Sequence, residues 1–236
     1  MKSRLILLIF LFALFLRLYK VAAVPVSLYW DEASIGYNAY SISQTLRDEH
    51  NEFLPLARFI AFGDYKAPGY IYLDSLVVKI LGLSELSVRL PSVVSGALLS
   101  IVAYLLVFEL FQNSSMKHKG ILANLSAFLV AISPWGIQLS RGAFEANVAT
   151  LFSGLGFFFL LQGLRIRSFV CLLLSSLLLS ASMYTFNSHR VFVPLLLFVV
   201  LAMKVAKLRL DRVMIVKLAI SLAVFGLLLL PLMPHL

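Results

Sequence analysis

The chain has 236 residues, 61% of them hydrophobic and only 13% charged, with a mean hydropathy of +0.96; a soluble domain of this size could not hide that much apolar surface, so the bilayer is its solvent. The net charge of +9 does not point to nucleic acid, because the basic residues fall in short clusters between apolar runs, the pattern that sets membrane orientation. Cys171 is the only cysteine and lies in an apolar run, which excludes a disulfide framework and a cysteine metal site.

Met1-Lys2-Ser3-Arg4 followed by an apolar run fits either a cleaved signal peptide or an uncleaved signal-anchor. The anchor fits better, because the run continues to about Val26 and more spans follow. Hydrophobic runs of membrane-crossing length cover 4–24, 88–111, 120–138, 144–164, 168–185, 190–206 and 213–233, which predicts an all-α, polytopic bundle of about seven spans over residues 1–236. Residues 27–83 form its first external loop. Within it, 32–47 reads as a helix with one apolar stripe, Ile35, Ala39, Ile42 and Leu46. The stretch 67–83 would be about 25 Å long as a helix, short of the ~30 Å hydrocarbon core. Asp74, Ser75 and Lys79 share one sector of its wheel, which suits a second helix lying in the membrane interface.

Charge then orients the chain. With 67–83 lying flat, the N-terminus is cytoplasmic and the C-terminus external. Lys2, Arg4, Lys117, Lys119, Arg165, Arg167, Lys204, Lys207, Arg209, Arg212 and Lys217 all fall on the cytoplasmic side, facing only Asp211 and the border residue Glu109. The sequon Asn113-Ser114-Ser115 is then cytoplasmic and Asn124-Leu125-Ser126 lies in a span, so neither is a glycosylation site.

Chemistry concentrates in the external loop. Asp31 and Glu32 follow Trp30 at the outer boundary. They can cap a helix, and a capped carboxylate is also a well-positioned general base for an acceptor hydroxyl or amine. Lys66, in Asp64-Tyr65-Lys66-Ala67-Pro68-Gly69-Tyr70, is either an interfacial lysine snorkelling to headgroups or a phosphate contact beside a helix start and flanked by aromatic rings. Arg141 and Glu145 are spaced for an intrahelical ion pair, and Asn147, deeper in the same span, suits a bundle interior. Asn187-Ser188-His189-Arg190 repeats the arrangement at the next outer rim. Lys66, Arg141 and Arg190 thus give three rims one cation each, a set that could converge on a lipid-anchored phosphate. His50 and His118 have no partner at metal-ligand spacing, and His235 is at the chain end. Paired carboxylates with His189 could take a divalent metal, but no metal or cofactor is required. There is no glycine-rich nucleotide loop.

The layout resembles the N-terminal part of the GT-C membrane glycosyltransferases, in the branch of protein O-mannosyltransferases and the lipid A aminoarabinose transferase. Trp30-Asp31-Glu32 stands where that family has Asp-Glu after its first span. Tyr65-Lys66-Ala67-Pro68-Gly69-Tyr70 is similar to its Lys-Pro-Pro or His-Pro-Pro stretch. Glu85 to Arg89-Leu90-Pro91 matches its Glu-x-x-x-Arg-Leu-Pro signature, and Ser140-Arg141 to Glu145 its Ser-Arg…Asp motif, with Glu in place of Asp. The resemblance implies a polyprenyl-phosphate sugar donor, attack at the anomeric carbon with inversion, Asp31 as base with Glu32 orienting it or the acceptor, and Lys66 on the phosphate. It implies an acceptor that is protein, lipid or glycan, and a site on the external face of the cell membrane. Family members usually run on through more spans, so a chain stopping after Pro234-His235-Leu236 reads as a fragment or truncated product. A lipid-linked sugar flippase or transporter, which would carry ionisable groups near mid-membrane, and a non-catalytic membrane partner are the rival readings.

Overall fold

The computed structural model describes residues 2–112, 114, 117–205 and 211–235. Asn113 and Ser115 of the first sequon, the basic Lys207 and Arg209, and the side chains of Lys2, Lys204 and His235 lie outside the described residues. The chain runs α1 (Lys2–Leu18), α2 (Trp30–Thr45), β1 (Phe59–Ala61), β2 (Asp64–Lys66), α3 (Pro68–Leu81), α4 (Glu85–Leu110), α5 (Lys119–Ile132), α6 (Pro134–Ser140), α7 (Glu145–Ile166), α8 (Phe169–Thr185), α9 (His189–Val205) and α10 (Arg212–Leu229), closing on a 3-10 turn at Leu230–His235. It is a helical bundle with one small hairpin.

Among the described residues, α4, α7 and the stretch Arg212–Met233 are long and apolar enough to cross a membrane, and the bent pair α5–α6 makes a fourth if it is one span. Seven spans are therefore not established. The physical reason is that an apolar run is not yet a helix: the run at 4–24 is helical only to Leu18, and α8 and α9 have 17 residues each. The expected single span at 120–138 is likewise broken by 56° at Ser133-Pro134. Pro134 supplies no N–H to continue α5, and Ser133 Oγ instead accepts from Gly136 N at 3.3 Å to start α6. The carbonyls left open at the end of α5 are taken by Arg17, which is 1% exposed and donates to Ala131 O at 3.0 Å and Val130 O at 3.3 Å. A cation at a helix C-terminus is favourable there.

The two loop helices form as expected, with corrections. Ile35, Ala39 and Ile42 are the buried face of α2, but the stripe stops before Leu46, which is the left-handed C-cap (φ 59°) and half-exposed. Helix α3 turns Leu76, Ile80 and Leu81 outward, as an interfacial helix should. Its polar sector is only partly solvated, however: Lys79 is exposed, and the other two residues are not. Asp74 is 0% exposed with neither carboxylate oxygen bonded, and Ser75 is buried. Desolvation raises the Asp74 carboxyl to about 8. Tyr70, also buried, repairs the backbone of α4 around Pro91: its phenol donates to Val88 O at 2.8 Å and accepts from Ser92 N at 3.3 Å.

The hairpin was not expected from periodicity. Phe59 pairs with Lys66, Ile60 with Tyr65 and Ala61 with Asp64. The two linking residues, Phe62 (φ 51°) and Gly63 (φ 79°), both have positive φ, as the type I′ turn demands. Behind it, Gly69 lets α3 start directly on α8: a Cβ there would lie 2.4 Å from Thr185 Oγ1 and 3.0 Å from the Thr185 and Tyr184 backbone.

Two outcomes follow from this packing. Gly69→Ala is expected to destabilise the protein by about 1–3 kcal/mol, seen as a lower thermal midpoint in detergent, whereas Gly226→Ala, with open space around it, is neutral or slightly stabilising. Because the folded-state pKa of Asp74 lies above its unfolded value of 3.8, the native state holds the extra proton. Stability from this group is greatest below about pH 4 and falls as pH rises to about 8. Asp74→Asn should remove that part of the slope in unfolding titrations across the same window.

Candidate active site

Glu32 and Arg89 fix the geometry of the first long loop. Both are buried, at 1% and 0% exposure. Arg89 Nε and Nη2 donate to Glu32 Oε1 and Oε2 at 2.9 and 3.2 Å, the two-pronged match that a guanidinium makes with a carboxylate. The remaining Arg89 bonds collect carbonyls of the chain leaving α1: Val21 at 2.8 Å, Pro25 at 3.0 Å and Ser27 at 2.9 Å. The remaining Glu32 bonds accept from Tyr29 N at 3.1 Å and Ala143 N at 2.9 Å. The Tyr29 bond is an N3 carboxylate reaching back to the N-cap amide. Tyr29, not Asp31, is therefore the N-cap of α2, which corrects the capping role expected of Asp31. Glu32 has no free oxygen for an acceptor, and its place is behind Asp31, holding the start of α2.

Asp31 is left to face the hairpin. Its Oδ1 lies 2.7 Å from Lys66 Nζ, with side-chain exposures of 25% and 11%. Asp64, 73% exposed, is a longer second partner at 3.5 Å. Burial alone would lower the Lys66 ammonium, but Asp31, then Glu145 and Asp64, outweigh it and hold its pKa above the ordinary lysine value. Burial, followed by the charges of Asp31, Glu145 and Glu32, pushes the pKa of the Tyr29 phenol up. The hairpin is held in register with α2 by Trp30, whose ring stacks on Phe62 at 5.9 Å and 16°. On the opposite face of β2, Arg58 lies over the Tyr65 ring at 4.2 Å, and Asn187 Nδ2 donates to Tyr65 O at 3.2 Å.

The structure thus brings together Asp31, Asp64, Tyr65 and Lys66, with Glu145 close enough to act on Lys66 electrostatically. One buried oxygen of Glu145 has no partner. Arg141 sits elsewhere: its guanidinium donates to Leu16 O, Arg17 O, Tyr19 O at 2.7 Å and Val24 O at 2.8 Å, closing the end of α1. The expected Arg141–Glu145 pair within one helix does not form. Arg141 ends α6, Glu145 begins α7, and the turn between them carries the Ala143 amide to Glu32. Arg190 reaches Met183 O and Ala57 O at 3.5 and 3.4 Å, on the same α8–α9 corner that Asn187 ties to the Lys66 strand. Asn147 donates to Ser92 Oγ at 3.0 Å across α7 and α4, so it faces the bundle interior. His189 is buried between the rings of Phe186 and Phe192. Among the described residues no three His, Cys, Asp or Glu side chains form a metal-ligand set.

In the sequence, Arg89 is marked only as the arginine of Glu-x-x-x-Arg-Leu-Pro. The signal was present: an arginine at the start of an otherwise apolar run needs a partner, and Glu32 is the buried acid that supplies one. Removing one member of such a pair leaves the other charge buried and alone, at about 3–5 kcal/mol. Arg89→Met should cost that much in detergent unfolding, and Glu32→Gln on the same background should recover a large part of it.

The sequence pattern of dolichyl-phosphate-mannose-protein mannosyltransferases matches residues 65–232, well over half of the chain. The match includes Lys66, Arg89, Arg141, Glu145 and Arg190, while Asp31 and Glu32 precede it. No curated protein matches the chain. An apolar helical bundle, a carboxylate–lysine pair at the ends of its first long loop and this match agree: the chain belongs to the dolichyl-phosphate-mannose-protein mannosyltransferase family of GT-C membrane glycosyltransferases.

Proposed function

We propose that the protein moves a sugar from a polyprenyl-phosphate donor to a hydroxyl or amine acceptor at the external face of the cell membrane, with inversion at the anomeric carbon. Asp31 is the general base, and Lys66 holds the donor phosphate. Glu32 and Arg89 position Asp31 without touching substrate. Arg190, on the corner bonded to the Lys66 strand, and Arg141 both donate to backbone carbonyls and serve the frame, and Lys66 is the cation on the phosphate. The N-terminus is cytoplasmic, and the acceptor is a protein, lipid or glycan.

The observation that carries this reading is the Asp31–Lys66 contact at 2.7 Å, partly open to the outside, in a chain of this family. Transfer needs a proton acceptor on one side of the anomeric carbon and a cation beside the leaving phosphate on the other. Asp31 is that acceptor, and Lys66, which touches it, is that cation. As the acceptor oxygen attacks, its proton passes to Asp31 and negative charge builds on the phosphate. Each change moves the lysine's attraction from the carboxylate to the phosphate. No metal or cofactor is part of the proposed step.

The test is Asp31→Asn in the purified chain reconstituted with a polyprenyl-phosphate sugar. Transfer should fall by about 10²–10⁴-fold, the usual contribution of a positioned base, with the thermal midpoint little changed. A rate near that of the unaltered protein would remove Asp31 from the role.

A further inference from the structure

We infer that the Asp31–Lys66 ion pair is a lock on the base which the donor's own phosphate opens, so that the acceptor is activated only after the donor has bound. This rests on the donor-phosphate reading of Lys66 given above and adds an order of events to it.

In the structure the base is occupied. Lys66 Nζ lies 2.7 Å from Asp31 Oδ1, and an ammonium on that oxygen takes the place that an acceptor O–H or N–H would need. The backbone of Lys66 is not free to withdraw. It is paired with Phe59 across the hairpin, its neighbour Tyr65 is bonded by Asn187, and Pro68 and Gly69 begin a helix packed on Thr185. The ammonium can therefore leave Asp31 only by rotating its side chain toward another anion. Asp64 is already within 3.5 Å yet is largely exposed, so water screens it and it competes weakly. A phosphodiester delivered by a lipid at the partly open edge of the pair is a stronger competitor, because it offers several oxygens to one ammonium. The first turn of α2, tied through Glu32 to Tyr29 N and Arg89, keeps the freed carboxylate in place.

The chemical step then balances without a further reagent. The acceptor O–H or N–H gives its proton to Asp31, the acceptor atom bonds to the anomeric carbon, and the carbon–oxygen bond to phosphate breaks with its electron pair remaining on the phosphate. Asp31 has become neutral and the phosphate more negative, so Lys66 stays with the product until it departs. Loss of the proton from Asp31 closes the pair again.

The experiment is equilibrium binding of a long-chain polyprenyl phosphate carrying no sugar to the full chain in lipid nanodiscs. Lys66→Met should weaken binding. Asp31→Asn, isosteric and without the competing charge, should tighten it about fivefold, the scale of a partly exposed ion pair, while transfer is lost. The double variant Asp31→Asn/Lys66→Met should bind no better than Lys66→Met alone, and Asp64→Asn should change affinity little. Unchanged or weaker binding by Asp31→Asn overturns the lock, as does an equal gain from Asp64→Asn, which would reduce the effect to general charge. If the unaltered protein and Lys66→Met bind alike, the phosphate reading of Lys66 fails and takes the lock with it.

Discussion

A glutamate in the first turn of α2 and an arginine near the start of α4, buried together, hold this structure in place. Removing both charges from water is costly, and the cost is offset only because every polar atom of the pair is used. Arg89 gathers three carbonyls from the segment leaving α1, and Glu32 takes amides from the start of α2 and from the turn before α7. Four separate parts of the chain meet at one contact. The close approach is possible because Gly36 lets α2 lie against Val88, the residue before Arg89 (a Cβ would stand 2.7 Å from Val88 Cγ2).

Adjacency turns that brace into a positioning device. Asp31 precedes Glu32 in the first turn of a helix, so fixing Glu32 fixes the direction in which Asp31 points. The same turn carries Trp30, which stacks on the tip of the hairpin, and the hairpin carries Lys66. Base and cation are therefore held by two elements that are registered on each other, one through an ion pair and the other through a ring contact. Neither depends on a long flexible loop, although the residues come from the two ends of one.

Much of this was legible beforehand. The apolar stripe of α2 as far as Ile42 and the shortness of α3 follow from periodicity and length, and the observed contacts agree with them; a joint role for Asp31 and Lys66 followed from the family resemblance of their two motifs. What could not be read has physical causes. A two-residue turn of Phe62-Gly63 lacks the Asn-Gly or Asp-Gly signature, so the hairpin left no local mark. The break at Ser133-Pro134 lay inside a run whose hydropathy was continuous. Asp74 and Arg17 look like surface charges until the fold closes over them, because burial is decided by the neighbours and not by the residue. The number of spans is not fixed for a related reason: hydropathy measures composition, and the end of a helix is set by caps and turns.

The cations show how geometry separates residues that charge alone would group. Lys66, Arg141 and Arg190 looked equivalent as single positive charges at the outer rims. In the fold, Arg17, Arg89, Arg141 and Arg190 all donate to backbone carbonyls, at helix ends or chain reversals. A rigid guanidinium with five donors can hold several carbonyls at once, and such a group, once engaged, does not move without opening backbone. Lys66 is built differently. Its compact ammonium sits on a flexible stem and contacts the carboxylates of Asp31 and Asp64. It can exchange one anion for another while the hairpin stays where it is. A transfer reaction in which charge passes from a base to a leaving group needs one mobile cation on a fixed frame, and the arginines and the lysine divide that work between them.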